Sequence, residues 1–241
     1  MASINGLIDR LGTSFTAQRR FLADAAHELR TPITALRLQL QLLRRSSDPA
    51  EREEAMGELE SGITRAQRLV EQLLQVARTE PDGAPTHQAP VDLGQLVRSV
   101  VGTLSIKAEQ RDIDLGAAAP AGIVIEGDVE QLTVLLNNLI ENALRHAPHG
   151  GVVDVEAWLH DACAELRVID GGSGIPDAER ERVFDCFYRG NDGPAMSHEG
   201  GGSGLGLAIV RAIAQRHHAA VSLHTPNSGR GIEVRVRFAR S

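Results

Sequence analysis

Lysine is nearly absent from this chain: of 25 basic residues, only Lys107 is a lysine. A phosphate loop of the Gly-Lys-Ser/Thr type therefore has no lysine to use, since Lys107 lies in a helical stretch away from any glycine run. Two cysteines, Cys163 and Cys186, exclude a disulfide scaffold and the four-ligand zinc spacings. Aromatic residues make up 3%, too few for a surface that stacks single-stranded nucleic acid. No apolar run approaches the ~18 residues of a spanning helix, and no charged-then-apolar leader opens the chain. Before residue 81 proline occurs only at Pro32 and Pro49, so little there interrupts a helix.

Of the 241 residues 42% are apolar, enough to bury a core in one or two domains. Residues 1–80 hold eleven Arg and eleven Asp or Glu, and they balance. The other 161 residues hold fourteen basic and twenty-one acidic groups, so the whole net charge of −7 sits there. Such a domain is a poor partner for a duplex phosphate backbone, and no direct nucleic-acid contact is expected. It must hold an anion by backbone amides, helix ends or a metal ion.

Leu29, Ile33, Leu36, Leu40 and Leu43 step by four and three, as do Met56, Leu59, Ile63, Ala66, Val70, Leu73 and Ala77. This is the seam period of packed helices. Between them, Ser46-Ser47-Asp48-Pro49 is a turn that can also cap the second helix. The pattern predicts an all-α helical hairpin over 15–80. Two helices alone have little to bury a stripe against, so a second copy completing a four-helix bundle is expected, hence a homodimer. Residues 81–90, proline-rich and aperiodic, read as a linker. Residues 1–14 read as the end of a further signalling helix, with a frayed terminus as the plain alternative. Residues 91–241 mix helix (92–110, 128–146, and from the last glycine run to about 217) with strands around 122–125, 152–159, 164–169, 219–224 and 232–238. That predicts an α+β domain, helices on one side of a sheet. The alternation in 233–238 predicts one wet face.

Four clusters carry chemistry. In His27-Glu28-Leu29-Arg30-Thr31-Pro32, His27 lies about 200° round the helix from Leu29 and need not enter the seam. A neutral imidazole can attack phosphorus if a carboxylate takes its other proton, and Glu28 is adjacent. Pro32 leaves the Glu28 carbonyl without its helical partner and predicts a bend. A surface histidine beside a salt-bridging glutamate is the plain alternative. Asn138 and Asn142 share one helix face, with Arg145 and His146 on the next turn. Asn oxygens suit Mg²⁺, and Arg pairs with phosphate. A polar helix face is the alternative, although Asn is a poor helix former. Asp170, with Gly171, Gly172 and Gly174 beyond it, follows a strand; its carboxylate can accept from an exocyclic amine while the backbone approaches closely. The run Gly200 to Val210 opens a helix and offers free amides to an anion. It is no dinucleotide fingerprint: Gly202-x-Gly204 leads to Leu207, and Gly204-x-Gly206 leads to Ile209.

In order and spacing these clusters resemble the motifs of a two-component sensor histidine kinase, across essentially all of the chain. His27 to Pro32 resembles the phosphoacceptor box, Asn138 to Asn142 the N box, and Asp170-x-Gly172-x-Gly174 the first glycine box. Phe184 to Arg189 resembles the F box and Gly202 to Leu207 the second glycine box. The opening INGLIDRL is similar to the end of a HAMP relay.

The resemblance implies a hairpin followed by a Bergerat-type α/β sandwich that binds ATP and Mg²⁺ under a lid at about 189–202. It implies that Asp170 holds the adenine amine, with Gly172, Gly174 and Ile175 beside it. Asn142 would ligate Mg²⁺ with Asn138 adjacent. Arg145, His146 and the amides of Gly204, Leu205, Gly206 and Leu207 would approach the phosphates, and Arg189 and Gly202, at the two ends of the lid, would be among the cofactor-binding residues. His27 would attack the γ-phosphate with Glu28 as general base. The phosphoryl group would pass to an aspartate of a response regulator receiver domain, and Thr31 would support its removal. The implied protein is longer, tethered to a bacterial inner membrane through an N-terminal part, with this portion cytoplasmic. A non-enzymatic dimeric adaptor with a degenerate ATP fold is one rival, which would lack His27, Asn142, Asp170 or the lid glycines; a hydrolytic ATPase of the same nucleotide fold is the other. It would need a glutamate where Asn138 stands; Glu141 faces elsewhere.

Overall fold

The computed structural model describes residues 2–45, 48–78, 88–160, 163–190 and 202–239. Most of the expected linker and residues 191–201 of the expected lid lie outside them. The chain divides into two compact units, residues 1–74 and 75–241.

The first unit is a helical hairpin. Helix α1 runs Ala2–Arg45 and continues through Pro32, and α2 runs Pro49–Arg78. Asp48 accepts the Ala50 N–H at 3.0 Å and caps α2. The two heptad positions of each stripe part company. Leu29, Leu36, Leu43, Leu59, Ala66 and Leu73 are half-buried. Ile33, Leu40, Met56, Ile63 and Val70 are 39–53% exposed. Inside the hairpin the helices approach closely: a Cβ on Gly62 would lie 2.8 Å from Leu36 Cδ2.

The second unit is a two-layer α/β sandwich. Strands β2 (Asp114–Ala118), β4 (Val152–His160), β5 (Cys163–Asp170), β7 (Ile232–Phe238) and β6 (Ala219–His224) lie side by side in that order. β2 runs parallel to β4 and the other pairs are antiparallel. β1 (Ala89–Asp92) and β3 (Val124–Gly127) form a separate antiparallel ribbon. Helices α3 (Leu93–Glu109), α4 (Val129–His146) and α5 (Gly206–Arg216) complete the unit. The core gathers Val153, Val155, Leu166, Val168, Val234 and Val236 from the sheet with Val97, Leu135, Leu139, Ile140 and Ile209 from the helices, each at most 4% exposed. Among the described residues no helix is long and apolar enough to cross a membrane.

The sequence placed β4 to β7 and all three helices, but the expected strand at 122–125 forms two residues later, and β1 and β2 were not expected. Nor is the other sheet face simply wet. Glu165 and Glu233 project there yet are 3% and 4% exposed. Glu233 accepts from Arg167 at 2.9 Å and Arg235 at 2.7 Å, while Arg237 pairs with Glu165 at 3.1 Å. Arg167 also pairs with Glu156 and lies 4.6 Å from the Trp158 ring centre. The long cationic stems cover the carboxylates they neutralise.

Candidate nucleotide site

Helix α4 buries Leu132, Leu135, Leu136, Leu139, Ile140, Ala143 and Leu144 as one stripe. Asn138, Asn142 and Arg145, stepping by four and three, then share another, half-buried face. The helix is held from both sides. Asp128 caps its start, accepting from the Glu130 and Gln131 amides at 3.0 and 3.1 Å. From α3, Lys107 pairs with Glu141, and Arg111 donates to the Leu144 carbonyl at 2.8 Å. The only lysine therefore holds Glu141 toward α3, as the expectation that Glu141 faces elsewhere requires.

Helix α5 starts differently. Both α3 and α4 are capped by aspartates, Asp92 and Asp128. The cap position of α5 is Leu205, fully buried, with no side-chain hydrogen bond to the first turn. Ser203 Oγ accepts from the Leu205 N–H at 3.2 Å, and among the described residues the leading amides of Gly206 and Leu207 have no capping side chain. Two α4 side chains stand against this end. A Cβ at Gly206 would lie 3.2 Å from Asn138 Oδ1, and one at Gly202 would lie 2.7 Å from an Arg145 guanidinium nitrogen. Asn138 Nδ2 donates back to the Val134 carbonyl at 2.8 Å, which turns its oxygen toward α5.

Gly204 adopts φ +71°, and a Cβ there would lie 2.8 Å from the Phe187 backbone. The Phe187 N–H donates to the Gly204 carbonyl at 3.0 Å. Phe187 itself has φ +63°, a conformation most side chains avoid. Around it Arg211 lies over Phe184 at 5.3 Å and Arg182 over Tyr188 at 4.5 Å. Arg189 is exposed just beyond.

Asp170 ends β5 and is 4% exposed. Burial raises its carboxyl above the ordinary range, while N–H donors of Gly172 and Ile232 offset part of that rise. The Gly172 contact is 2.8 Å long. A Cβ at Gly172 would lie 2.5 Å from the His146 carbonyl, so the loop after Asp170 touches the end of α4. The His146 side chain is exposed, and Ile175 is half-buried. Gly174 has φ +77° and packs against the Gly231 carbonyl. Gly231 was not singled out from sequence. It has φ +91°, and a Cβ there would lie 1.8 Å from the Asp170 carbonyl oxygen, so only glycine fits beside the carboxylate's own backbone. The signal was present in Gly229-Arg230-Gly231 before an alternating strand.

In the hairpin, His27 and Thr31 are exposed one turn apart on α1, and Glu28 is half-buried. Among the described residues, no group of three or more His, Cys, Asp or Glu could hold a metal. What the second unit brings together is a buried carboxylate, an asparagine face, an arginine and an open helix start.

Residues 17–82 match the His Kinase A (phospho-acceptor) domain, and residues 127–241 match the histidine kinase-, DNA gyrase B-, and HSP90-like ATPase. The Pseudomonas aeruginosa sensor protein kinase PmrB is 37% identical over 233 residues, covering 97% of this chain and 48% of PmrB. Sensor protein QseC of Escherichia coli K12 is 37% identical over 238 residues, covering 98% of this chain and 51% of QseC. The chain thus spans about half the length of the curated relatives it matches. The solved cytoplasmic segment of histidine kinase QseC is 28% identical with a TM-score of 0.51, covering 74% of this chain and 95% of that one. Histidine kinase ThkA, solved in complex with response regulator protein TrrA, shares the fold at a TM-score of 0.76 and 18% identity, covering 95% of this chain and 64% of that one. A phospho-acceptor hairpin joined to an ATPase sandwich, with both parts matched in order, makes this chain a member of the two-component sensor histidine kinases.

Proposed function

We propose that this chain binds ATP in the second unit, phosphorylates His27, and passes the phosphoryl group to an aspartate of a response regulator receiver domain. The observation that carries this is the meeting of Asn138 with the uncapped start of α5 and of Arg145 with Gly202 just before it, while the loop after the buried Asp170 touches the C-terminal end of α4. Phosphoryl transfer asks a protein for positioning and charge neutralisation more than covalent help. Here the amides of Gly206 and Leu207 and the Arg145 guanidinium supply positive potential at the triphosphate. Asp170 accepts from the adenine amine, and the loop of Gly172, Gly174 and Ile175 lines the base. Asn142 offers an amide oxygen to Mg²⁺, a cation commonly held by few protein ligands plus substrate phosphates; when bound, it would neutralise phosphate charge. His146, Gly202, Gly204 and Leu205 complete the edge of the cleft, with Arg189 at the lid. Glu28 takes the proton from His27 as its other nitrogen attacks, and Thr31, one turn on, supports removal of phosphate from the regulator.

The exposed heptad positions support a homodimer: Ile33, Leu40, Met56, Ile63 and Val70 remain open after the hairpin has packed. The relatives' names and the match to the cytoplasmic segment of QseC support a cytoplasmic portion tethered to a membrane by a part beyond this sequence. The pairing of Glu141 with Lys107 weighs against hydrolysis, since no carboxylate remains on the asparagine face of α4 to activate water.

Incubation with γ-labelled ATP and Mg²⁺ tests the reading. The chain should acquire acid-labile, alkali-stable label. His27→Gln should abolish it while nucleotide still binds, and Asn142→Ala should abolish it with the dimer intact. Release of free phosphate without label on the chain would replace transfer with hydrolysis.

A further inference from the structure

At the end of α5 remote from the glycine run, one side chain ties together the two helices that frame the cleft. His217 follows α5 and is 7% exposed. Its Nδ1 lies 2.8 Å from the Ile213 carbonyl. A carbonyl only accepts, so Nδ1 carries the proton and Nε2 is left to accept. Nε2 does so from the Asp128 backbone N–H at 3.0 Å, across 89 positions of sequence. Asp128 is the residue that caps α4. The ring fits because residue 127 is glycine: a Cβ there would lie 3.0 Å from the His217 Cδ2 and 3.3 Å from its Nε2.

Helix α5 is therefore tied to α4 near both of its own ends. Asn138, midway along α4, meets Gly206 at the start of α5, and Arg145 meets Gly202 just before it, while Asp128 at the start of α4 meets His217 after the last turn of α5. We propose that His217 is a positioning residue for phosphoryl transfer: it fixes α5 along its axis against α4, so that the open amides of Gly206 and Leu207 stay in register with Asn142. The proposal rests on the reading that the triphosphate lies between those two sets of groups. Apolar packing between the helices resists separation but is non-directional. A hydrogen bond has a required distance and angle, and it opposes sliding. A helix of 11 residues transmits an axial slip from one end to the other, and a displacement of ~1 Å at a reacting group can cost about 100-fold in rate.

The discriminating experiment compares His217→Asn with His217→Gln in the full chain. Asn places an amide donor near the Nδ1 position and leaves the Asp128 N–H without an acceptor. Gln reaches far enough to put a carbonyl oxygen near the Nε2 position. The readouts are affinity for a non-hydrolysable ATP analogue with Mg²⁺, the initial labelling rate at saturating ATP, and Tm. His217→Asn should weaken nucleotide about 10-fold and slow labelling at saturation by more than that, in keeping with misplacement at the reacting groups. His217→Gln should recover most of both losses. Val101→Ala, a core truncation in α3, should lower Tm with little change in affinity. Equal losses in the Asn and Gln variants, or an Asn variant no worse than Val101→Ala, would overturn the inference. If His217→Asn does not fold, Gly127→Ala, which crowds the same ring and the Leu132 methyl beside it, replaces it in the comparison, with Leu132→Ala as the control for the loss of core packing alone. Asn142→Ala run alongside separates two failures. If it still transfers phosphate at the normal rate, the site reading falls. If it loses transfer while His217→Asn keeps both readouts, only the role of His217 falls.

Discussion

Asp170 shows how a binding group costs the empty protein stability. An unfolded aspartate titrates near 3.8, and burial raises the folded value above that. As pH rises past the unfolded value, the unfolded chain sheds its proton first. Stability from this group therefore falls with rising pH until the folded value is passed, and the deficit then persists at neutral pH. Asp170→Asn should remove that part of the decline when the nucleotide-free protein is unfolded by denaturant at a series of pH values. The same variant should weaken ATP binding about 10-fold, the worth of a hydrogen bond to a charged acceptor. An unaltered pH profile together with unaltered affinity would end the adenine assignment. This residue was legible in sequence because an aspartate at a strand end before glycines is a local pattern. Gly231 was not, since its requirement comes from the Asp170 carbonyl on a neighbouring strand. His217 was hidden for the same reason: its partner lies at the start of another helix, and no local window contains both.

At the scale of the element, legibility followed the contrast between faces. α4 was plain because seven buried residues make a stripe and the asparagines share another face. β2, Asp-Leu-Gly-Ala-Ala, has one large apolar residue and sits at the sheet edge, so no alternation marks it. β1 carries Pro90 and ended a stretch that read as linker; as half of a two-stranded ribbon it tolerates proline. On the sheet's outer face, alternation indicated the orientation of Glu233 but not its burial, because the covering arginines come from other strands as well. Burial alone would raise the Glu233 carboxyl, but hydrogen bonds from Arg235 and Arg167 outweigh it and hold the group below the ordinary range. Its stabilising contribution is present above the unfolded value and is lost as pH falls through the folded one. Arg167→Met should therefore cost about 1–3 kcal/mol at neutral pH, since it strips a partner from Glu156 and from the buried Glu233. The cost should shrink in acid. Denaturant unfolding at neutral and acid pH measures both, and a cost that stays constant would mean that Arg167 acts by packing on Trp158 instead.

For the whole molecule, the two units differ in what they can do alone. The second unit buries its own core on both helices and sheet. Among its described apolar side chains the hairpin buries only Ala25, Ala55 and Leu69, each still 8% exposed. A pair of helices with so little enclosed surface is marginal, because helix stability in proteins comes mainly from packing an amphipathic face. A second copy laid against the open heptad positions would supply that packing, which makes folding of the hairpin and association one event. Ile63, 43% exposed at the middle of the α2 stripe, is the place to test this. Ile63→Lys puts a charge where the partner's helices would close, and burying an unpaired ammonium is strongly unfavourable. Sedimentation should show loss of the dimer, circular dichroism should show loss of helix in the same concentration range, and labelling of His27 should fall. Affinity for a non-hydrolysable ATP analogue should remain, because the nucleotide groups all belong to the other unit. A variant that stays helical as a monomer would show that the hairpin stands without a partner and would remove the packing argument for the dimer. Parallel loss of nucleotide affinity would show instead that the two units fold as one.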